Sequence, residues 1–274
     1  MKPNFVVIGA PKAATTTLCV LLDEHPEVFM FPAKTTQFFN RRYDFGWAWY
    51  ESLFEQAGEA KAIGEGSANY TVDRGDPPVA ERMASHLPDA RLIYIVRHPL
   101  ERLESHYVQQ WDNGHRFPSF GEAVRTWPPL MNASRYWERV NDYREHYPDE
   151  QILVLFFEDF KIDPQAELRR CFEFLGVDSS FKVSDPSTAK NTRADKRTDR
   201  VMMRWIRKYP AYVKLSWALP RWLKEKLKPV LRRKIKVEIE WDVATRQWVI
   251  DEIAADSRKF LEFYGKPAEY WRFE

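Results

Sequence analysis

The sequence predicts an α/β fold: a P-loop-like, open and mostly parallel sheet flanked by helices, with a basic helical C-terminal elaboration. Three observations predict it. Apolar runs rich in β-branched and aromatic residues recur at NFVVIG (4–9), RLIYIV (91–96) and QILVLFF (151–157), the texture of strands buried on both faces. Helical segments alternate with them, as in a sheet covered on both sides. The chain has 274 residues, 44% of them hydrophobic, which is enough material for a sizeable core.

Residues 4–9 close on a glycine and lead through APKAAT into a helix over Thr16–Glu24 that stops before Pro26. The segment VFMFPAKTTQFFN opens as an aromatic strand and continues as a loop. Trp47, Tyr50 and Phe54, at i, i+3 and i+7, mark one face of a helix over 47–57. A strand over Ala62–Glu65 precedes the turn-rich GEGSANYT, and a helix starts near Pro77. After RLIYIV, Pro99 opens a helix over Leu100–Trp111. A helix over Ser134–His146 leads into QILVLFF, and DPQAELRRCFEFLG is a helix with Pro164 at its start and Gly176 as its stop. Residues 182–200 read as polar loop, followed by basic helical segments and a last helix over Val243–Tyr264. No Gly/Ser-rich linker interrupts the chain, so 1–274 reads as one domain, an α/β core over 1–200 and a helical extension over 201–274.

Composition narrows the function classes. No window approaches the roughly 18 apolar residues of a membrane span, and the N-terminal apolar run is too short for a signal peptide. Cys19 and Cys171 form no disulfide framework and no metal-ligand spacing, so the expectation is a reduced, cytoplasmic setting. The formal net charge of +2 hides an asymmetry. From Lys190 to Lys236 there are 17 Lys/Arg against Asp195, Asp199 and Glu225, a balance of +14, so the remainder sums to −12. Such a patch points to an anionic partner.

Two motifs carry chemistry. The loop Gly9-Ala10-Pro11-Lys12-Ala13-Ala14-Thr15-Thr16-Thr17 follows a strand and opens a helix, where backbone N–H groups and the helix dipole favour an anion. It is not a Walker loop, because Ala14 and Thr15 stand where that pattern needs Gly and Lys; this argues against a kinase or NTPase. Its bland reading is a threonine-capped helix end with a surface lysine. Arg97-His98-Pro99 ends the strand RLIYIV, with Ser105 eight residues after Arg97 and Arg102 close to the same helix face. Arg97 is either a crevice residue or a salt-bridged strand end.

Together the two motifs resemble the sulfotransferases that use 3′-phosphoadenosine 5′-phosphosulfate (PAPS), in particular the heparan sulfate and bacterial carbohydrate-type branch. That family has a G-x-x-K-x-x-T-T loop around the 5′-phosphosulfate, matched by Gly9, Lys12, Thr15 and Thr16, and an Arg-x-Pro strand end with a serine eight residues on, matched by Arg97, Pro99 and Ser105. The resemblance covers about residues 4–200, including the passage ILVLFFEDF…DP…L…FLG. It implies a transferase that moves a sulfuryl group from PAPS to a hydroxyl or amine of a carbohydrate or small molecule, with PAP as product and no required metal. It implies a cofactor set of Lys12, Ala13, Ala14, Thr15, Thr16, Thr17, Arg97 and Ser105, with Lys196 and Arg197 from a loop folded over the nucleotide. Lys12 is the residue expected to neutralise charge developing on the bridging oxygen.

The acceptor side departs from the family pattern. The K-E-x-x-F-F segment is Lys34-Thr35-Thr36-Gln37-Phe38-Phe39, with threonine for glutamate, and the E-K-S-A-N-Y-F segment is Glu65-Gly66-Ser67-Ala68-Asn69-Tyr70, with glycine for lysine. A PAPS- or PAP-binding protein with altered catalysis is the alternative that this raises. Glu65 is the first substitute base, its other reading being a carboxylate that holds a loop; His98 is the second, although it should point away from Arg97. His106, Cys19, Tyr136 and Trp137 read as packing residues. In 209–236, aromatics interleave with cations, which fits an anionic glycan, a membrane surface or a self-contained helical core; nucleic-acid motifs are absent.

Overall fold

The computed structural model describes residues 1–72, 78–185, 237 and 239–273, together with the backbone of two short strands at 197–199 and 232–234. The main sheet is built from β1 (Phe5–Gly9), β2 (Val28–Met30), β3 (Ala62–Glu65), β4 (Arg91–Val96) and β5 (Ile152–Phe156). Its order is β2-β3-β1-β4-β5, and all four pairings are parallel. Parallel pairing demands that both faces be covered, which explains why β1 and the last five residues of β4 are buried throughout.

The helices follow the expected signals closely. They are α1 (Thr15–Leu22), α2 (Phe38–Arg41), α3 (Trp47–Ser52), α4 (Val79–His86), α5 (Pro99–Asp112), α6 (Phe120–Thr126), α7 (Pro128–Asn132), α8 (Tyr136–Arg144), α9 (Phe157–Ile162), α10 (Pro164–Leu175) and α11 (Val243–Phe263). The cap of α10 is made by Asp163, whose side chain accepts from Ala166 N at 3.0 Å, and its end by Gly176 in the left-handed region (φ 72°), as Pro164 and Gly176 foretell. The helix over 47–57 is shorter than expected: α3 ends at Ser52 and a 3-10 turn covers Glu55–Ala57.

Further features differ from the sequence reading: α2 forms where a loop is expected, and α9 follows β5 directly where no helix is expected. Short helices α6 and α7 occupy the stretch after α5, where no element was expected. They pack Phe120, Ala123, Val124, Leu130 and Met131 against Leu103 and Tyr107 of α5 and Val249 and Ile253 of α11, forming a second core. The final helix is therefore structural: Phe260 and Leu261 enter the main core while its first half builds the second. Where polar loop and basic helix were expected, Arg197–Asp199 and Arg232–Lys234 pair antiparallel as β6 and β7, with Asp199 opposite Arg232. Pairing of two distant segments leaves no local periodicity to read. The remainder of 186–236, including Lys196, the side chain of Arg197 and the basic-aromatic stretch 209–236, lies outside the described residues.

One carboxylate ties α11 to α8. Asp256 accepts from Trp137 N at 3.1 Å and Glu138 N at 2.9 Å, at the start of α8, where orphan donors and the helix dipole favour an acceptor. Burial nevertheless raises its pKa to about 6 against those two donors. A folded pKa above the unfolded value means that protonation favours the folded state, so this contribution is complete below about pH 4 and is lost as pH rises through 6. Thermal melts from pH 4 to 7 should therefore show a loss on the order of 2 kcal/mol attributable to Asp256. In Asp256→Asn that pH-dependent component should vanish.

Candidate active site

The sheet order fixes where a site can form. From the central β1 the chain goes first to β2 and β3 on one side, then to β4 and β5 on the other. The carboxyl ends of β1 and β4 thus diverge into connections on opposite sides, leaving a crevice between them. Register shifts between Val7 and Gly9 opposite Ile93 and Tyr94, and Ala10 N donates to Ile95 O at 2.6 Å, so the loop after β1 starts against β4. Gly9 is required here, because any Cβ would collide with the hydroxyl of Thr71 and touch the Tyr94 ring at 3.0 Å.

The loop is a tight turn into α1. Lys12 and Ala14 have positive φ (74° and 69°), and the first helical bond that reaches back into it runs from Leu18 N to Ala14 O at 3.0 Å. The N–H groups of Thr15, Thr16 and Thr17 precede that bond and have no intrahelical acceptor. Ala13 is buried and Thr16 is exposed, while Lys12 is half-buried. Burial first, then the charge of Arg102 and least that of Lys12, hold the His106 imidazole well below its ordinary pKa.

On the opposite wall, Arg97 leaves the end of β4. Its Nε donates to Glu101 Oε2 at 3.1 Å, its Nη2 closes an ion pair with the same oxygen, and its guanidinium lies 4.8 Å from the centre of the Phe157 ring. Ser105 is buried on α5. Arg102 is also buried, donating to Ser134 Oγ at 2.7 Å, to His106 Nδ1 at 3.0 Å and to the Leu130 carbonyl. His106 is therefore a neutral acceptor within a packed network, as its packing role implied.

The structure places Glu65 and His98, the two expected bases, against partners within the protein. Glu65 has 0% exposure and is surrounded by donors: Thr36 Oγ1 and Tyr70 Oη at 2.7 Å, Ser67 Oγ at 2.5 Å, Thr36 N at 3.3 Å and Tyr50 Oη at 3.4 Å. Burial raises its pKa, opposed by the bonds from Ser67, Thr36 and Tyr70. Both oxygens are engaged by these donors, which fits its other reading as a loop-holding carboxylate. His98 points to the C-terminal segment, as its neighbourhood to Arg97 implied. Its ring Nε2 lies 2.8 Å from Arg272 O and its N–H donates to Glu158 Oε1 at 2.8 Å.

Lys34 was passed over in the sequence because its partners lie 18 and 19 residues away. Its Nζ donates to Thr15 Oγ1 at 2.9 Å and Thr16 Oγ1 at 3.2 Å. The two departures at 35 and 66 touch each other: Thr35 Oγ1 donates to Gly66 O at 3.1 Å, and Gly66 N donates to Lys34 O at 2.8 Å. Cys19 packs beneath them, its thiol pushed up to about 12 by burial, which leaves it without nucleophilic character at neutral pH.

A family model described as the sulfotransferase domain matches residues 2–204. Mouse heparan sulfate glucosamine 3-O-sulfotransferase 3A1 is 31% identical over 185 residues, 64% of this chain and 46% of that protein. The membrane-associated sulfotransferase kil1 of Dictyostelium discoideum is 36% identical over 121 residues, 42% of this chain and 25% of that one. The chain thus spans less than half the length of these curated relatives. A sulfotransferase from Alicyclobacillus acidocaldarius shares the fold, with a TM-score of 0.71 at 22% identity over 99% of each chain.

The role of Glu65 gives a stability test. Glu65→Gln turns an acceptor-only group into one whose NH2 faces hydroxyl donors, so several buried polar atoms lose partners. Chemical denaturation should report a loss of about 2–4 kcal/mol. A change under 0.5 kcal/mol would remove the carboxylate from its structural role.

Proposed function

The chain belongs to the sulfotransferase domain family, and from that premise we propose that it transfers the sulfuryl group of PAPS to a hydroxyl or amine of a carbohydrate or small molecule. The observation that supports this reading is a pair of cations at one edge of the sheet: Lys12 with the α1 N-terminus after β1, and Arg97, with Ser105 on the following helix, after β4. The residues fit PAPS, whose two anionic ends require two such sites. When bound, PAPS would supply an activated sulfuryl group: the acceptor atom bonds to sulfur as the bond to the bridging oxygen breaks, PAP leaves with that bond's electrons, and the acceptor's proton goes to solvent.

The chain's own residues have separable tasks. The loop N–H groups and the hydroxyls of Thr15, Thr16 and Thr17 bind the 5′ end, and Lys12 offsets charge gathering on the bridging oxygen. Arg97 and Ser105 take the 3′-phosphate. The contact between Arg97 and Glu101 is an i,i+4 pair whose glutamate is 54% exposed, worth at most about 0.5 kcal/mol. Paired, charge-assisted bonds to a phosphate are stronger, so the fork turns from Glu101 to the nucleotide at little cost.

The glycan class of acceptor draws support from the heparan sulfate enzymes among the relatives and from the basic stretch 190–236, which suits an anionic chain. Among the described residues, no helix is long and apolar enough to cross a membrane. Free, buried Cys19 and Cys171 support a reduced, cytoplasmic setting.

Calorimetry with PAP tests the reading, and no heat of binding at millimolar ligand would overturn it. Arg97→Ala should weaken PAP by one to a few powers of ten while leaving the weaker affinity for adenosine 5′-phosphosulfate, which lacks the 3′-phosphate, nearly unchanged. Lys12→Ala should slow turnover more than it weakens PAP. Equal loss for both ligands in Arg97→Ala would make Arg97 a structural residue.

A further inference from the structure

Lys34 has the geometry of a ligand-facing cation. It reaches from the β2–α2 connection, with its own backbone in the left-handed region (φ 65°), to the N-terminal turn of α1. That helix end is where the 5′ group of the nucleotide is expected. Two of its three ammonium donors are committed to Thr15 and Thr16. No carboxylate of the described residues lies within ion-pair distance of it. Burial lowers its pKa, opposed by its electrostatic interaction with Cys19 and Glu65. An ammonium held half-buried at an anion site without a counter-ion is stabilised when an anion arrives.

The space that it fills is equally informative. A Cβ at Gly66 would stand 3.1 Å from Lys34 Cε, 3.4 Å from Lys34 Cγ and 2.5 Å from Cys19 Sγ. The Lys34 stem therefore runs directly over the glycine, through the volume that a side chain at position 66 would need. The backbone exchange between Gly66 N and Lys34 O, and the bond from Thr35 Oγ1 to Gly66 O, hold it there.

We infer that Lys34 is a second sulfuryl-binding cation beside Lys12, which donates its remaining N–H to a non-bridging oxygen of the transferred group from the place that Gly66 leaves open. This rests on the PAPS reading. Lys12 then serves the bridging oxygen, and Lys34 serves the group that PAPS has and PAP lacks. The threonine hydroxyls orient the ammonium, so that Thr15 and Thr16 act on the sulfuryl group through Lys34 as well as through their backbone.

The test is a comparison of two ligands on the full chain without acceptor. Calorimetry with PAP and with PAPS is run on the wild type, Lys34→Met and Lys34→Gln, the second keeping polar donors for the threonines should the first fail to fold. Both variants should hold PAP within about threefold while losing roughly tenfold to a hundredfold in PAPS affinity. Equal losses for the two ligands would assign Lys34 to loop architecture and overturn the inference, as would a Lys34→Gln protein that matches the wild type on both. Wild-type protein that binds neither ligand would overturn the PAPS reading itself, and this role with it.

Discussion

Everything at the site depends on the reversal of strand order at β1. Because β3 and β4 flank β1 in parallel, the carboxyl ends of all three strands open on one edge of the sheet. The loop after β1, the Glu65–Gly66–Ser67 turn and Arg97 are thereby neighbours, although 88 residues separate Gly9 from Arg97. Close contact enforces the arrangement: Gly9 has no room for a Cβ beside Thr71 and Tyr94. With the loop seated there, the α1 N-terminus faces the crevice. The helix supplies N–H donors that no side-chain substitution removes.

The second layer is the buried carboxylate of Glu65. It ties β3 to the segment that follows β2 through Thr36 and Ser67, and it anchors Tyr70 and Tyr50. Phe38 stacks on Tyr50 at 4.5 Å, and Phe39 meets Tyr50 and Tyr70 edge-on, so polar and apolar contacts fix the same backbone. That backbone carries Lys34 to the loop. Thr35 and Gly66 touch each other through a hydroxyl–carbonyl bond, and the glycine leaves room for the Lys34 stem.

Much of this was legible in the chain. Strands β1, β4 and β5 announce themselves because burial on both faces removes polar residues from them, and Pro99, Pro164 and Gly176 mark helix ends by their own backbone geometry. The loop after β1 and Arg97 stand out as motifs because their spacing is local. What was hidden is non-local. Nothing near Glu65 reveals that Tyr50 and Thr36 will converge on it, and nothing near Lys34 reveals Thr15 and Thr16. Helices α6 and α7 are too short to show a period, and they matter only through the core that they share with α5 and α11.

The central claim is that one crevice holds both ends of a single nucleotide. A crystal structure of the full chain with PAP tests it most directly. The 5′-phosphate should lie on the N–H groups of residues 13–17 and the 3′-phosphate on Arg97 and Ser105, with the Arg97–Glu101 pair broken. PAP lodged elsewhere, or bound at the loop while Arg97 remains on Glu101, would contradict it.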